Sequence, residues 1–203
     1  MSFLEDPDET PEVRRLYDDD TDDVGYVMNL SRVWGHLPAE QEQLFGLVGA
    51  SAKAAGLSFR DRGILVTAAA ATLGDSYCAL AWGNKLAGVA GTEVVEAVLT
   101  GADDELTPAE QALARWARQV VADPNATSAS DLEELRTAGY DDRQIAAITL
   151  FIGLRVAFAM VNDALGARPD AQLAAGVPDV VRRAVTWGRP RLGDTPGGAD
   201  GQF

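Results

Sequence analysis

Helix start and stop signals recur along this chain so densely that they leave little room for any other secondary structure. Pro38 suits the first position of a helix running to Gly56, a residue fitted to the left-handed stop after a helix. Ser58 and Asp61 form a capping pair for a segment over 59–73 that Gly74 breaks, and Asp75 caps the next one, to about Gly88. Thr107-Pro108-Ala109-Glu110 is a capping box opening an amphipathic helix to about Ala122, in which Leu113, Trp116, Ala117 and Val120 recur at helical spacing. Ser130-x-x-Glu133 opens a short helix ended by Gly139, and Asp141-x-x-Gln144 a long apolar one ended by Gly166. No sustained two-residue alternation and no Asn-Gly or Asp-Gly turn between apolar runs argues for strands. The expected fold is therefore all-α, a bundle of about seven or eight helices over residues 24–187.

Charge divides the chain. Residues 1–23 hold ten acidic side chains against Arg14 and Arg15, out of a net charge of −14 for all 203 residues. That leader is expected to be mobile, as is the Gly/Pro-rich tail over 188–203, which has too little apolar area to order itself. An acidic surface repels phosphate backbones and anionic headgroups, so neither nucleic acid nor membrane is an expected partner. The longest apolar run, 145–161, carries Arg155 near its centre; a charge at the bilayer midplane costs about 2.5 to 3.5 kcal/mol, which favours a buried core helix. A helix apolar on nearly all faces in so small a chain points to a neighbouring subunit, and a homo-oligomer is expected. With one cysteine and no basic-then-apolar opening, a reduced, cytoplasmic setting is expected, and Asn125 in "NAT" carries no glycosylation meaning there.

That single cysteine lies in "GDSYCALAWGNKLA", 74–87. If Asp75 opens a helix, spacings of three and four place Asp75, Cys78 and Trp82 on one stripe facing a common space. Cys78 then sits in the first turn, where free N–H groups and the helix dipole favour thiolate by about 0.3 to 1 kcal/mol. A carboxylate one turn away opposes this by about 1 kcal/mol even in water, so the two roughly cancel. The plain alternative is that Cys78 and Trp82 are core residues.

The chain resembles the alkylhydroperoxidase D-like and carboxymuconolactone decarboxylase family. The likeness runs through "GYVMNL" at 25, "HLP" at 36–38, "LSFRDRGILVTAAAATLGDSYC" at 57–78 and "DLEELRTAGYDDRQIAAITLFIGLRVAFAMVNDALGARPDA" at 131–171. Peroxidase members carry a glutamate on one helix and C-x-x-C-x-x-x-H at the start of the next. On that pattern Cys78 matches the second cysteine, Asp75 replaces the first, Trp82 stands at the histidine and Gly63 at the glutamate. The resemblance implies a thiol peroxidase, here limited to one-cysteine chemistry: an organic hydroperoxide is reduced as Cys78 is oxidised to a sulfenate, which an external thiol clears. Asp75 and Trp82 would shape its pocket and Tyr77 could donate a hydrogen bond. No cofactor is implied.

Three other residues enter the reading. His36, the lone histidine, is either a proton-transfer group in the same pocket or a helix-end residue before Pro38. Arg155 needs a carboxylate or carbonyls, with Asp75 and Asp163 as conceivable partners; it would clamp an anionic substrate or form an ion pair at a subunit interface. His36, Asp75 and Arg155 would serve a decarboxylase or isomerase needing no cysteine. A non-catalytic small-molecule binder is the remaining alternative. No phosphate-cradling loop, nucleophile elbow or paired metal ligands appears, so no cofactor or metal is expected.

Overall fold

The computed structural model describes residues 2–190. Among these the chain is all-helical, with no strand. Its helices are α1 Pro11–Val24, α2 Asn29–Trp34, α3 Pro38–Ala55, α4 Phe59–Leu73, α5 Ser76–Ala90 and α6 Thr92–Thr100. They continue as α7 Pro108–Ala122, α8 Ala129–Thr137, α9 Asp142–Ala164, α10 Ala171–Gly176 and α11 Asp179–Ala184. The expectation of flexibility over 191–203 lies outside the described residues.

The local signals explain most boundaries. Ser58, Thr107 and Asp141 each complete a capping box with the residue three positions on, satisfying N–H groups that a helix start leaves open. A cap of this kind is typically worth about 1 kcal/mol. The α8 cap lies two residues earlier than the sequence suggests. Ser128 pairs with Asp131, whose Oδ2 accepts from the Ser128 N–H at 2.7 Å, while Glu133 pairs with Arg136. Helix α5 runs through Gly88 and stops at Gly91, φ +90°. Packing of Ala87 and Ala90 against the core offsets the cost of about 1 kcal/mol of a glycine inside a helix.

The acidic leader is a second departure. Residues 11–24 form α1, capped by the Thr10 hydroxyl and anchored by buried Val13. Asp20 Oδ2 accepts the Met28 N–H at 2.8 Å, so one of the acidic side chains holds the next loop.

Helix α4 is central: every residue from Gly63 to Ala70 is buried, packed by α5, α7 and α9. Helix α9 is long and apolar enough to cross a membrane. One side of it is instead covered by α3 and α4, burying Ile148, Phe151, Ile152, Arg155, Phe158 and Ala159. The segment after α11 returns over the start of α5. Ser76 Oγ donates to the Arg189 carbonyl at 2.8 Å, and Arg189 Nε donates to the Asp163 carbonyl at 2.8 Å. The Arg189 guanidinium lies 4.8 Å over Phe3, whose own N–H donates to the Leu165 carbonyl at 2.8 Å.

Candidate functional site

Two residues join α4 to α5. Gly74 takes the left-handed conformation, φ +82°, and its N–H and that of Asp75 both donate to the Ala70 carbonyl at 3.0 Å. This turn drops Asp75 into the cap position of α5, where Oδ1 accepts the Cys78 N–H at 3.0 Å. Cys78 is thus the third residue of the helix, and its sulfur points toward α9. There Arg155 Nη2 approaches Sγ at 3.8 Å.

Asp75, Cys78 and Arg155 line one cavity between α4, α5 and α9. Its other walls are small or aliphatic: Val66, Ala69, Ala70, Leu73, Val156 and Ala159. The free volume is about 10 Å³, room for one water molecule. Asp75 is 0% exposed, Cys78 4% and Arg155 6%, so three polar groups share a nearly dry space.

Their hydrogen bonding is incomplete. Asp75 Oδ2 and Arg155 Nε are buried with no protein partner. Leaving such groups unpaired costs about 1 to 3 kcal/mol each, more where charged. None of the ion pairs among the described residues includes Arg155. Its guanidinium is instead ringed by Phe158, Trp82 and Phe45, at 5.2, 5.4 and 5.6 Å from the ring centroids. Aromatic faces attract a cation but do not neutralise it.

The site's protonation follows from burial. Desolvation pushes the Cys78 thiol well above its ordinary range; the Asp75 charge adds to the rise and Arg155 opposes it. The resting sulfur is a protonated thiol. Desolvation also raises Asp75, against hydrogen bonds from Cys78 and the Arg155 charge. Asp163, one helix turn beyond Ala159, is raised to about 6 by burial and by Asp75, with Arg189 pulling the other way.

The other candidates separate from this cluster. Trp82 meets it only through the Arg155 guanidinium, and its ring also lies 5.8 Å from that of Phe59, tilted by 32°. Tyr77 turns away from the sulfur: its hydroxyl donates to Asp170 Oδ2, and Asp170 Oδ1 accepts the Asn29 N–H at 2.9 Å. The tyrosine therefore ties α5 to α2 and to the segment before α10. Gly63 does not reach the cavity, because a side chain there would meet Leu86 Cδ1 at 3.0 Å. His36 is exposed on the α2–α3 turn with Nε2 3.1 Å from the Glu5 carbonyl, outside the cavity lining. Of the two carboxylates considered for Arg155, Asp75 shares its cavity, whereas Asp163 lies beside Arg189.

The aromatic ring around Arg155 was not anticipated. Phe158, three residues beyond Arg155 on the same helix, was readable from spacing; Phe45 comes from α3, 110 positions away in sequence, and carries no local signal.

No protein-family model and no curated protein matches the sequence. Solved structures do match in fold. An uncharacterized peroxidase-related protein from Ralstonia eutropha JMP134, solved as an alkylhydroperoxidase AhpD core, superposes with a TM-score of 0.72 at 21% identity, over 85% of this chain and 94% of that one. A peroxidase-related protein from Silicibacter sp. TM1040 gives 0.73 at 18% identity, over 85% and 93%. The debrominase Bmp8 gives 0.71 at 16%, over 88% and 97%. The chain has the alkylhydroperoxidase-like helical fold, and that fold also carries a debrominase.

Proposed function

We propose that this protein is a one-cysteine thiol peroxidase acting through Cys78. One observation carries the reading: Asp75 and Arg155, each with a buried polar atom lacking a protein partner, the acceptor Oδ2 and the donor Nε, line the same buried cavity as Cys78. A hydroperoxide can satisfy both, its O–H donating to Asp75 and its oxygen accepting from Arg155. The peroxidase-related fold neighbours agree with this choice, but the fold does not select the substrate.

In the reaction Sγ attacks the terminal peroxide oxygen. The S–O bond forms as the O–O bond breaks, giving sulfenic acid and an alcohol, or water from hydrogen peroxide. Asp75 accepts the thiol proton and the leaving oxygen receives it, while Arg155 stabilises the negative charge that passes through sulfur and oxygen. Sulfur is oxidised by two electrons as the peroxide is reduced. With no second cysteine in the chain, one external thiol forms a mixed disulfide, releasing water, and a second restores Cys78. A cavity this small favours hydrogen peroxide and short hydroperoxides over bulky ones. The decarboxylase or isomerase alternative loses its proposed histidine, since His36 is exposed elsewhere.

The test treats the reduced full-length protein with hydrogen peroxide and traps sulfenate with dimedone for mass spectrometry, followed by turnover with an external dithiol. Cys78→Ser is expected to lower peroxide consumption at least 100-fold. Asp75→Asn should slow the peroxide step about tenfold, yet lower the thiol pKa and quicken alkylation by iodoacetamide, because a neighbouring negative charge is gone. Labelling of Cys78 no greater than in a denatured control would overturn the proposal and leave a non-catalytic binder.

A further inference from the structure

The free space beside Cys78 is about 10 Å³, and the two polar residues that share it, Asp75 and Arg155, each keep one buried polar atom without a protein partner. Both side chains are held where they are. Asp75 Oδ1 accepts the Cys78 N–H at 3.0 Å, which fixes the carboxylate at the start of α5. The Arg155 guanidinium lies among the Phe45, Trp82 and Phe158 rings, with Nη2 3.8 Å from Sγ. Every other residue lining the cavity is Ala, Val or Leu. Beside the sulfur there is thus one free acceptor, one free donor and room for one water-sized oxygen.

The first oxidation of Cys78 takes up all three. Sγ receives one oxygen from the peroxide, the proton lent to Asp75 leaves with the departing oxygen, and the product is sulfenic acid beside a regenerated carboxylate. The S–O–H group can donate to Asp75 Oδ2 while its oxygen accepts from Arg155 Nε, so both orphaned atoms gain the partner that burial makes costly to lack. The delivered oxygen also fills the volume in which the peroxide lay. A second oxidation would form another S–O bond and break another O–O bond, taking the sulfur by two more electrons to sulfinic acid. A second peroxide finds no free acceptor for its O–H, no free donor for its leaving oxygen and no room. Reduction makes no such demand. A thiolate attacks the sulfur itself, and Arg155 already holds the oxygen that must leave.

We propose, resting on the peroxidase reading above, that the folded site holds a single oxygen: Cys78 stops at sulfenic acid, hydrogen-bonded to Asp75 and Arg155, and excess peroxide does not carry it on to sulfinic acid. The protein then keeps its reducible form under a peroxide load that drives an open cysteine to irreversible products.

The test exposes reduced full-length protein to hydrogen peroxide from about 0.1 to 10 mM, removes the peroxide with catalase, and unfolds the protein in urea with dimedone present. Trypsin then leaves Cys78 in the peptide 63–85, which contains no methionine, and fragmentation reads the oxygens carried by the sulfur. The dimedone adduct should persist across the whole range, with the second oxidation at least about 100-fold slower than the first, whereas protein kept in urea throughout should run on to sulfinic and sulfonic acids. Val156→Ala and Leu73→Ala, which widen the cavity, should each speed the second oxidation about tenfold or more. If a wall variant fails to fold, the folded and unfolded wild type still decide the matter. Sulfenic acid that forms in the folded protein but passes to sulfinic acid as fast as in urea would overturn the proposal and leave the peroxidase standing. A second oxidation equally slow in both folded wall variants would overturn it too, since the cavity would not be what sets the stop. No sulfenic acid at all in the folded protein would remove the peroxidase reading, and this one with it.

Discussion

Two arginine–carboxylate sites flank α4, and they are built on opposite terms. At one end Arg60 Nε donates to Glu110 Oε1 at 2.5 Å, while Glu110 Oε2 accepts the Thr107 N–H and hydroxyl, both at 2.9 Å. Burial pushes the Glu110 carboxyl up, but Arg60 and Thr107 outweigh it and hold the acid below its usual range. At the other end Asp75 and Arg155 share a cavity without an ion pair, each with an unpartnered polar atom, and burial lifts the Asp75 carboxyl. A carboxylate whose lone pairs are all occupied closes a helix start. One with a free oxygen beside a thiol and a cation keeps its hydrogen-bonding capacity for a visitor. The first arrangement adds to stability; the second gives some up, which the proposed thiol chemistry would turn to reactivity.

Breaking each pair should separate those roles. Glu110→Ala is expected to cost about 2 to 3 kcal/mol of unfolding free energy in urea, because it orphans Arg60 and the Thr107 N–H together, while sulfenate formation at Cys78 stays near wild type. Arg155→Met should do the reverse. Removing a buried cation that lacks a paired carboxylate is expected to leave stability unchanged or raise it by about 1 kcal/mol, and to slow the peroxide step about tenfold, read by stopped-flow under pseudo-first-order peroxide. A large loss of stability in Arg155→Met would erase the contrast.

The smallest effect concerns Asp163, on the last turn of α9. Its folded-state pKa, about 6, lies above the ordinary carboxyl value, so folding favours the protonated form. Its contribution is complete below about pH 4 and is lost as pH rises through 6. Asp163→Asn should flatten that part of the stability profile, by less than about 1 kcal/mol once partial exposure is allowed for, as followed by thermal melts from pH 4 to 7.

Much of the fold was written locally. The boxes at Ser58, Thr107 and Asp141 act within four residues, and a reader of sequence sees the same hydrogen bonds the structure forms. Helix α6 had no such mark: it follows α5 after Gly91 alone, with no side-chain cap, so a single glycine had to carry the whole signal. Helix α1 was hidden by its charge, since nothing in a run of aspartates shows that Asp20 will bind the Met28 amide. At the site, spacing placed Asp75 and Cys78 together and they line one cavity with Arg155, whereas Trp82 stands outside that lining and touches only the arginine. What spacing could not give was the company of that arginine, since Phe45 arrives from another helix. Nor could it give the depth of burial, which turns Cys78 from a near-ordinary thiol into a strongly protonated one.

The crossing of the chain over the start of α5 has a consequence in time. A β-carbon at Gly188 would lie 2.4 Å from the Gly74 carbonyl oxygen, so the backbone itself seals that turn. Residues 74–78 leave the ribosome more than a hundred positions before the glycine that covers them. The turn that opens α5 therefore stays uncovered on that side until residue 188 has been added, long after the turn itself is made.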